Sequence, residues 1–556
     1  MSVKKTIISL LSLVVSIPLL FYFLVNFFAG AGRKMDQPID HGNIEIPTQR
    51  KFSFHKNSEL KQNILDGWTS KTPEDWKPDE KVNLKNARIV ISCLLEGKRV
   101  KEMNRYLIRQ KAVGHPGSPW LLYPLGDYDF NAMAFTALLY LFGEKPDLLY
   151  PKTREHLLNN ILTIEGGEFR RNVGYMFLED SENHILMTEG SRYLKNQWLR
   201  NHGNTAPEYD NKTNGVEKKL IFFLEEIDTY GFYEFNSAPY LGYTYCALLN
   251  LNEFASGEIR SLAGELLDRL NWQYAISSYK FKHFPPNRRR FGKSFKKNID
   301  SDYHTVMLKV WASLYDESLS VDMSRGQHHA LWATFVSYKP ADKVIEWVLN
   351  KPKPYFIKMG HGYNSCPEIL SGDQGYLLSG GGANQGRRSL IVAKPIMLFL
   401  DDDASEMGEA FHMFGPGDDF VDWNNTGVYH DFACAKGKVR IPRGKNSATS
   451  SGNWQIFAIT EGVFLATYSK KELGLMVIVR TDTPENALEK VIENNLDEEL
   501  LKTRFIHPNG NLIEYDLDAP KDQWVINNVN KKTVNRNFDQ WAFFESLSFK
   551  RGLKSD

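Results

Sequence analysis

At 556 residues the chain is too long for one ordinary domain, and two or three are expected. An apolar fraction of 42% supplies large cores, and 13% aromatic residues leave enough rings to line grooves as well. A formal net charge of +1 excludes any argument from overall charge to a partner.

The chain opens on a targeting pattern. Lys4 and Lys5 precede the apolar run 6–28, which includes "IISLLSLVVSIPLLFYFLVNFF" and is long enough to span a bilayer. "AGA" at 29–31 fits a cleavage site, and Arg33 and Lys34 follow it, so basic residues flank the run on both sides. Residues 1–31 therefore read as a signal peptide or a retained membrane anchor. Either one predicts an exported chain: periplasmic, cell-surface or secreted. From about 55 to 350 apolar residues recur at helical steps, as in "NAMAFTALLYLFG", "HILMTEGSRYLKNQWL" and "GYTYCALLNLNEFA". Helix follows helix at a spacing that suits stacked hairpins. From about 354 the pattern becomes that of strands, as in "YFIKMG", "SLIVAKPIMLFL", "GVFLATYSK" and "LGLMVIVRT". "NKPKP" at 350–354 marks the boundary. The expected order is a helical domain over 32–350 and an antiparallel β domain over 351–556. Cys93, Cys246, Cys366 and Cys434 form no metal motif and no CxxC pair, and the first two read as buried thiols.

Four stretches carry candidate chemistry. In "DSENHILMTEG", 180–190, Asn183 and His184 open an apolar helix beside Glu182. Asn183 or Ser181 explains itself as a helix cap, whereas histidine is no capping residue; a first-turn residue also faces any central cavity. "GFYEFNSAPYLGYTYCALLNL", 231–251, has the same layout, a polar loop entering an apolar helix. Asn236, Ser237 and Pro239 form its turn, and Tyr240, Tyr243 and Tyr245 follow. Each buried phenol needs a partner, so the cluster reads equally as core or as site. "KFKHFPPNRRRFGKSFKKN", 280–298, holds eight lysines and arginines, among them Arg288 and Arg290, and no acidic residue. It is a solvated loop or a polyanion-binding patch; an export signal directs the second reading to acidic polysaccharide and away from nucleic acid. The stretch 408–437 offers His412, His430, Trp423, Tyr429 and several aspartates, without diagnostic metal-ligand spacing. The glycine-rich "YLLSGGGANQGRR" lacks the ending of a phosphate loop.

Helices followed by strands, with "ENH" on one helix and "NSAPY" at the start of a later one, resemble the polysaccharide lyases of the heparinase II/III and alginate lyase type. The resemblance covers most of the chain after the leader. It implies an N-terminal (α/α) toroid and an antiparallel β-sandwich. It also implies catalytic roles for Asn183, His184 and Tyr240, with a histidine of the sheet domain: His412 in "AFHMFG", or His430 as the second choice. Some relatives place a metal-binding histidine two residues beyond the catalytic one, where this chain has Phe414. No cofactor is required by the chemistry, and a structural divalent metal in the β half stays open. Such lyases remove the proton α to a uronate carboxylate and expel the 4-linked sugar. Asn183 and His184 would stabilise the developing charge. Tyr240 would protonate the departing oxygen, and His412 would act as base. Glu182, Asn236, Tyr243, Arg288, Arg290, Trp423 and Tyr429 are the expected substrate contacts. Two other functions compete. A glycoside hydrolase of the unsaturated uronyl type on a helical toroid would use Asp127, Asp129 or Glu234 as acid and base. A non-catalytic surface glycan-binding protein would rely on Trp120, Trp423 and the basic stretch.

Overall fold

Apolar side chains three and four residues apart give the first half its helices, and alternation gives the second half its strands. The computed structural model describes residues 12–21, 23, 59–75, 84–119, 125–171, 180–238, 240–288, 297–300, 302–321, 329–359, 367–381, 391–392, 394–415, 426–520, 523–537 and 541. Within 1–31, residues 12–21 are helical and exposed, and most of the segment lies outside the described residues. Among the described residues no helix is long and apolar enough to cross a membrane.

The helices that build the first half are α1 (Glu59–Thr69), α2 (Asn86–Leu95), α3 (Val100–Arg109), α4 (Asp129–Phe142) and α5 (Glu182–Asn201). They continue with α6 (Val216–Tyr230), α7 (Leu241–Phe254), α8 (Gly257–Ser277), α9 (Tyr303–Ala312) and α10 (Asp342–Leu349). Helices close in the chain pack on each other: α1 on α2, α4 on α5 and α7 on α8 as neighbours, and α5 on α7 across α6. The short helix Trp332–Phe335 returns to touch α1. Helix α4, "DFNAMAFTALLYLF", is buried nearly all round, as its continuous apolar surface requires.

The strands begin with β1 (Ser278–Tyr279), β2 (Lys282–His283), β3 (Asn287–Arg288), β4 (Tyr355–Met359), β5 (Glu368–Asp373), β6 (Tyr376–Gly381) and β7 (Ile391–Val392). They go on through β8 (Lys394–Leu400), β9 (Phe411–Met413), β10 (Thr426–Tyr429), β11 (Phe432–Ala435), β12 (Val439–Arg440) and β13 (Thr449–Ser451). The last are β14 (Trp454–Thr460), β15 (Val463–Lys470), β16 (Leu473–Arg480), β17 (Arg504–Ile506), β18 (Leu512–Tyr515), β19 (Ile526–Val529) and β20 (Lys532–Thr533). Among the described residues two antiparallel sheets have six strands each, ordered β12-β9-β8-β6-β5-β4 and β10-β11-β16-β15-β14-β13, and β17–β20 form a third.

The first of these sheets is buried on both faces. Tyr355, Ile357 and Met359 of β4, Leu370 of β5, Leu377 of β6 and Met397 and Phe399 of β8 join the core of the helices. Their alternates Phe356, Ile369, Leu378, Ile396 and Leu398 join a core shared with the second sheet. This is why β4 reads "YFIKM", buried at every position, with Lys358 covered by the Trp524 and Trp541 rings. The boundary at 350–354 is equally packed: Lys351 is fully buried and donates to the Trp347 carbonyl at 2.7 Å and to the Ala275 carbonyl.

The basic stretch has a structural use that its composition hides. Lys282 donates to the carbonyls of Leu400 at 2.7 Å and Asp402 at 2.6 Å and pairs with the Asp402 carboxylate. Lys280 pairs with Asp401 at 2.6 Å. Strand β3 then pairs with β7, and a side chain at Gly381 would stand 2.7 Å from the Pro286 ring. The described part of the stretch therefore ties the helices to the first sheet and is not a solvated loop. Cys93, Cys246 and Cys434 are free and buried; Cys366 lies outside the described residues.

Candidate functional site

Three helix starts meet at one ring. Asp129 is the first residue of α4, Glu182 the first of α5, and Tyr240 precedes the first residue of α7. The edge of His184 lies against Phe130, with ring centroids 5.2 Å apart, and Tyr240 lies 6.4 Å from the same ring. Helix N-termini carry partial positive charge and unpaired N–H groups, so their meeting favours an anion.

His184 is 6% exposed, and its Nδ1 lies 2.8 Å from Asp129 Oδ2. Asp129 itself has no exposed surface. Burial alone would push the imidazole pKa down, but Asp129, Asp180 and Asp127 together raise it to about 9. Asp180 is fixed in turn by Ser118, whose backbone N–H donates to it at 3.2 Å and whose hydroxyl also donates. Asn183, 1% exposed, accepts from the Ser181 hydroxyl through Oδ1. Its Nδ2 is buried and has no acceptor among the described residues.

The turn before α7 is held from two sides. Asn236 takes a left-handed backbone (φ 50°), which asparagine tolerates better than most residues. The Glu234 N–H donates to Glu182 Oε1 at 2.8 Å, which joins this turn to the start of α5. Asn236 Nδ2 donates to the Pro286 carbonyl and to Glu368 Oε2, both at 3.1 Å, which joins it to β3 and β5. Asn183, His184, Glu182, Asn236 and Tyr240 are thus brought together by α4, α5 and α7, at the junction with the first sheet.

The other expected residues divide between this region and the sheets. Tyr243 is buried with its ring edge-on to Phe130 and His329, each at 4.3 Å between centroids, so it shares the ring at which the helix starts meet. Arg288 is buried, its guanidinium 4.9 Å from the Tyr233 ring, and its N–H donates to Phe235 at 3.1 Å. Tyr429 is buried in the core between the sheets, against Phe356, and His430 stacks on that same ring. Arg290, Trp423, Trp120 and Pro239 lie outside the described residues.

His412 sits on β9, its Nδ1 2.9 Å from the Ala410 carbonyl. That carbonyl requires a proton on Nδ1, which leaves Nε2 as the basic nitrogen. Burial lowers its pKa, with Arg440 adding to the effect. Among the described residues no hydrogen bond or ring contact joins His412 to Asn183, His184 or Tyr240. The two histidines are pushed in opposite directions, His184 towards the cation and His412 towards the neutral base.

Sequence reasoning missed Lys394. It is buried opposite Gly381 in β8, 4.5 Å from the Phe284 ring centroid, and burial lowers its pKa to about 7. Its one signal is a lysine inside the apolar run "SLIVAKPIMLFL". Among the described residues no group of three or more His, Cys, Asp or Glu is placed to hold a metal ion. No family model matches the chain, and no curated protein or solved structure matches it.

Proposed function

We propose that the chain is a carbon–oxygen lyase that cleaves a uronate-containing acidic polysaccharide by β-elimination. One observation carries the reading: the meeting of three helix starts around Phe130 with an Asn183 Nδ2 that has no acceptor among the described residues, a His184 held cationic and a Tyr240 phenol. A uronate carboxylate placed there would meet two donors as its α-carbon becomes carbanionic. The base takes the C5 proton, the C5–H electron pair becomes the C4=C5 bond, and the C4–O bond breaks. Tyr240 then gives its proton to the departing oxygen. His412, neutral with Nε2 free to accept, has the protonation state a base needs.

The helical half is read as an (α/α) toroid, supported by the pairing of successive helices and the return of Trp332–Phe335 to α1. The β half is read as a sandwich, supported by the core that the two large sheets share. Export, by signal or anchor, rests on the run 6–28 and agrees with a polymer substrate. The hydrolase alternative is weakened at Asp129, whose carboxylate is bonded to His184.

The test is a panel of uronate polysaccharides offered to the full-length chain, followed by the ultraviolet absorbance of the conjugated product. Absorbance that grows with wild type and not with His184→Ala supports elimination. New reducing ends without absorbance would identify a hydrolase, and binding without products a glycan-binding protein.

A further inference from the structure

We propose that Asp129 is a positioning residue: it clamps Nδ1 of His184, so that the ring stays an imidazolium throughout turnover and presents Nε2–H to the substrate carboxylate. This rests on the lyase reading for its purpose, though not for its geometry. The Nδ1–Oδ2 distance is 2.8 Å, and both side chains are withdrawn from water, where a charge-assisted bond is strongest. Nδ1 is fully engaged by Asp129, and among the described residues no protein group accepts from Nε2. The ring has therefore one free donor, and its neighbour Asn183 has another in Nδ2.

Among the described residues the charged groups that act most on His184 are acidic. Asp129 begins α4, Asp127 precedes it, and Asp180 precedes α5. The other faces carry the Phe130 ring, with Tyr240 and Tyr243 beyond it. Three carboxylates around one imidazole make proton release costly, so His184 is unsuited to act as the base. An imidazolium that keeps its proton offsets the substrate carboxylate and lowers the cost of a second negative charge beside it. The C5 proton must then go elsewhere, which divides the work between a fixed cation on α5 and a separate acceptor.

The experiment is a pH titration of the full-length chain labelled with ¹³C-histidine, with the His184 resonance assigned by its loss in His184→Gln. Wild-type His184 is expected to titrate near 9, above the ordinary value of about 6.5. Asp129→Asn, which keeps the shape and removes the charge, should bring the midpoint down by about 1–3 pH units. On a confirmed substrate the alkaline limb of kcat/KM should move acidward by a similar amount, and Asp129→Glu should restore part of the shift. An ordinary midpoint in wild type overturns the proposal even if Asp129→Asn fails to fold, and so does an unmoved midpoint in a folded Asp129→Asn. A shifted midpoint with no eliminating activity on any uronate polymer upholds the clamp and removes the lyase reading.

Discussion

Replacing Lys282 by methionine should destabilise the protein through the joint between its helices and the first sheet. The lysine is 5% exposed and donates to the carbonyls of Leu400 and Asp402 and to the Asp402 carboxylate. Methionine fills the same space and removes one donor from each of the three acceptors, although the Leu400 carbonyl keeps the Asp402 N–H at 3.0 Å and the Asp402 carboxylate keeps the Ala404 N–H at 3.2 Å. With the Asp402 side chain 25% exposed, the loss should fall near the lower end of the about 3–5 kcal/mol that breaking a buried pair from one side costs. Lys280 provides the control from the same hairpin. Its ion pair with Asp401 has side chains 38% and 59% exposed, so Lys280→Met should cost less than about 1 kcal/mol. Urea unfolding of both variants, followed by tryptophan fluorescence and far-ultraviolet circular dichroism, reads the difference as midpoints at unchanged slope. Equal losses in the two variants, or a loss under about 1 kcal/mol for Lys282→Met, would refute the assignment of a buried clamp.

Three more outcomes are expected. Tyr240→Phe should fold normally and lose roughly 10²–10⁴-fold in turnover, whereas Tyr243→Phe, whose ring is packed against Phe130 and His329, should be much milder; steady-state rates on a confirmed substrate decide, and the reverse order would move the acid by one turn. Asn183→Ala should lower kcat by roughly 10²–10³-fold and cost only about 1 kcal/mol of stability, because Nδ2 has no acceptor among the described residues to lose and Oδ1 gives up the Ser181 hydroxyl alone; a much larger fall in Tm would return the residue to a packing role. His304 is buried against Asn271 and the Tyr245 and Tyr274 rings, and burial lowers its pKa to about 3. A depressed histidine adds stability above its unfolded pKa of about 6.5, which is lost as the pH falls towards 3. From pH 7 to pH 5 that loss should be about 2 kcal/mol, and a His304→Gln variant with the same pH slope would refute it.

Much of the secondary structure was legible because its signals are local. The change of period near 354 marks where α10 gives way to β4, and "ENH" and "NSAPY" both stand at helix starts. Pairings across long separations were not legible. Asp129 stood out only as a carboxylate for a hydrolase, since its bond to His184 spans 55 residues. The basic stretch read as a surface for polyanions because two of the three acceptors that hold Lys282 are backbone carbonyls, which leave no mark in composition. Tyr429 read as a contact residue because aromatic side chains serve grooves and cores alike; the structure packs it between the sheets.

The doubly covered sheet has a consequence for anyone who would divide this protein. Severing the chain at 350–354 would leave the helices without Tyr355, Ile357, Leu370 and Met397, which complete their interior. The released β fragment would turn that same row outward as a wide greasy face, of the kind that recruits other copies and precipitates. The stretch that most resembles a linker in the sequence is therefore the worst place to cut, and truncations made there should yield inclusion bodies in place of two working pieces.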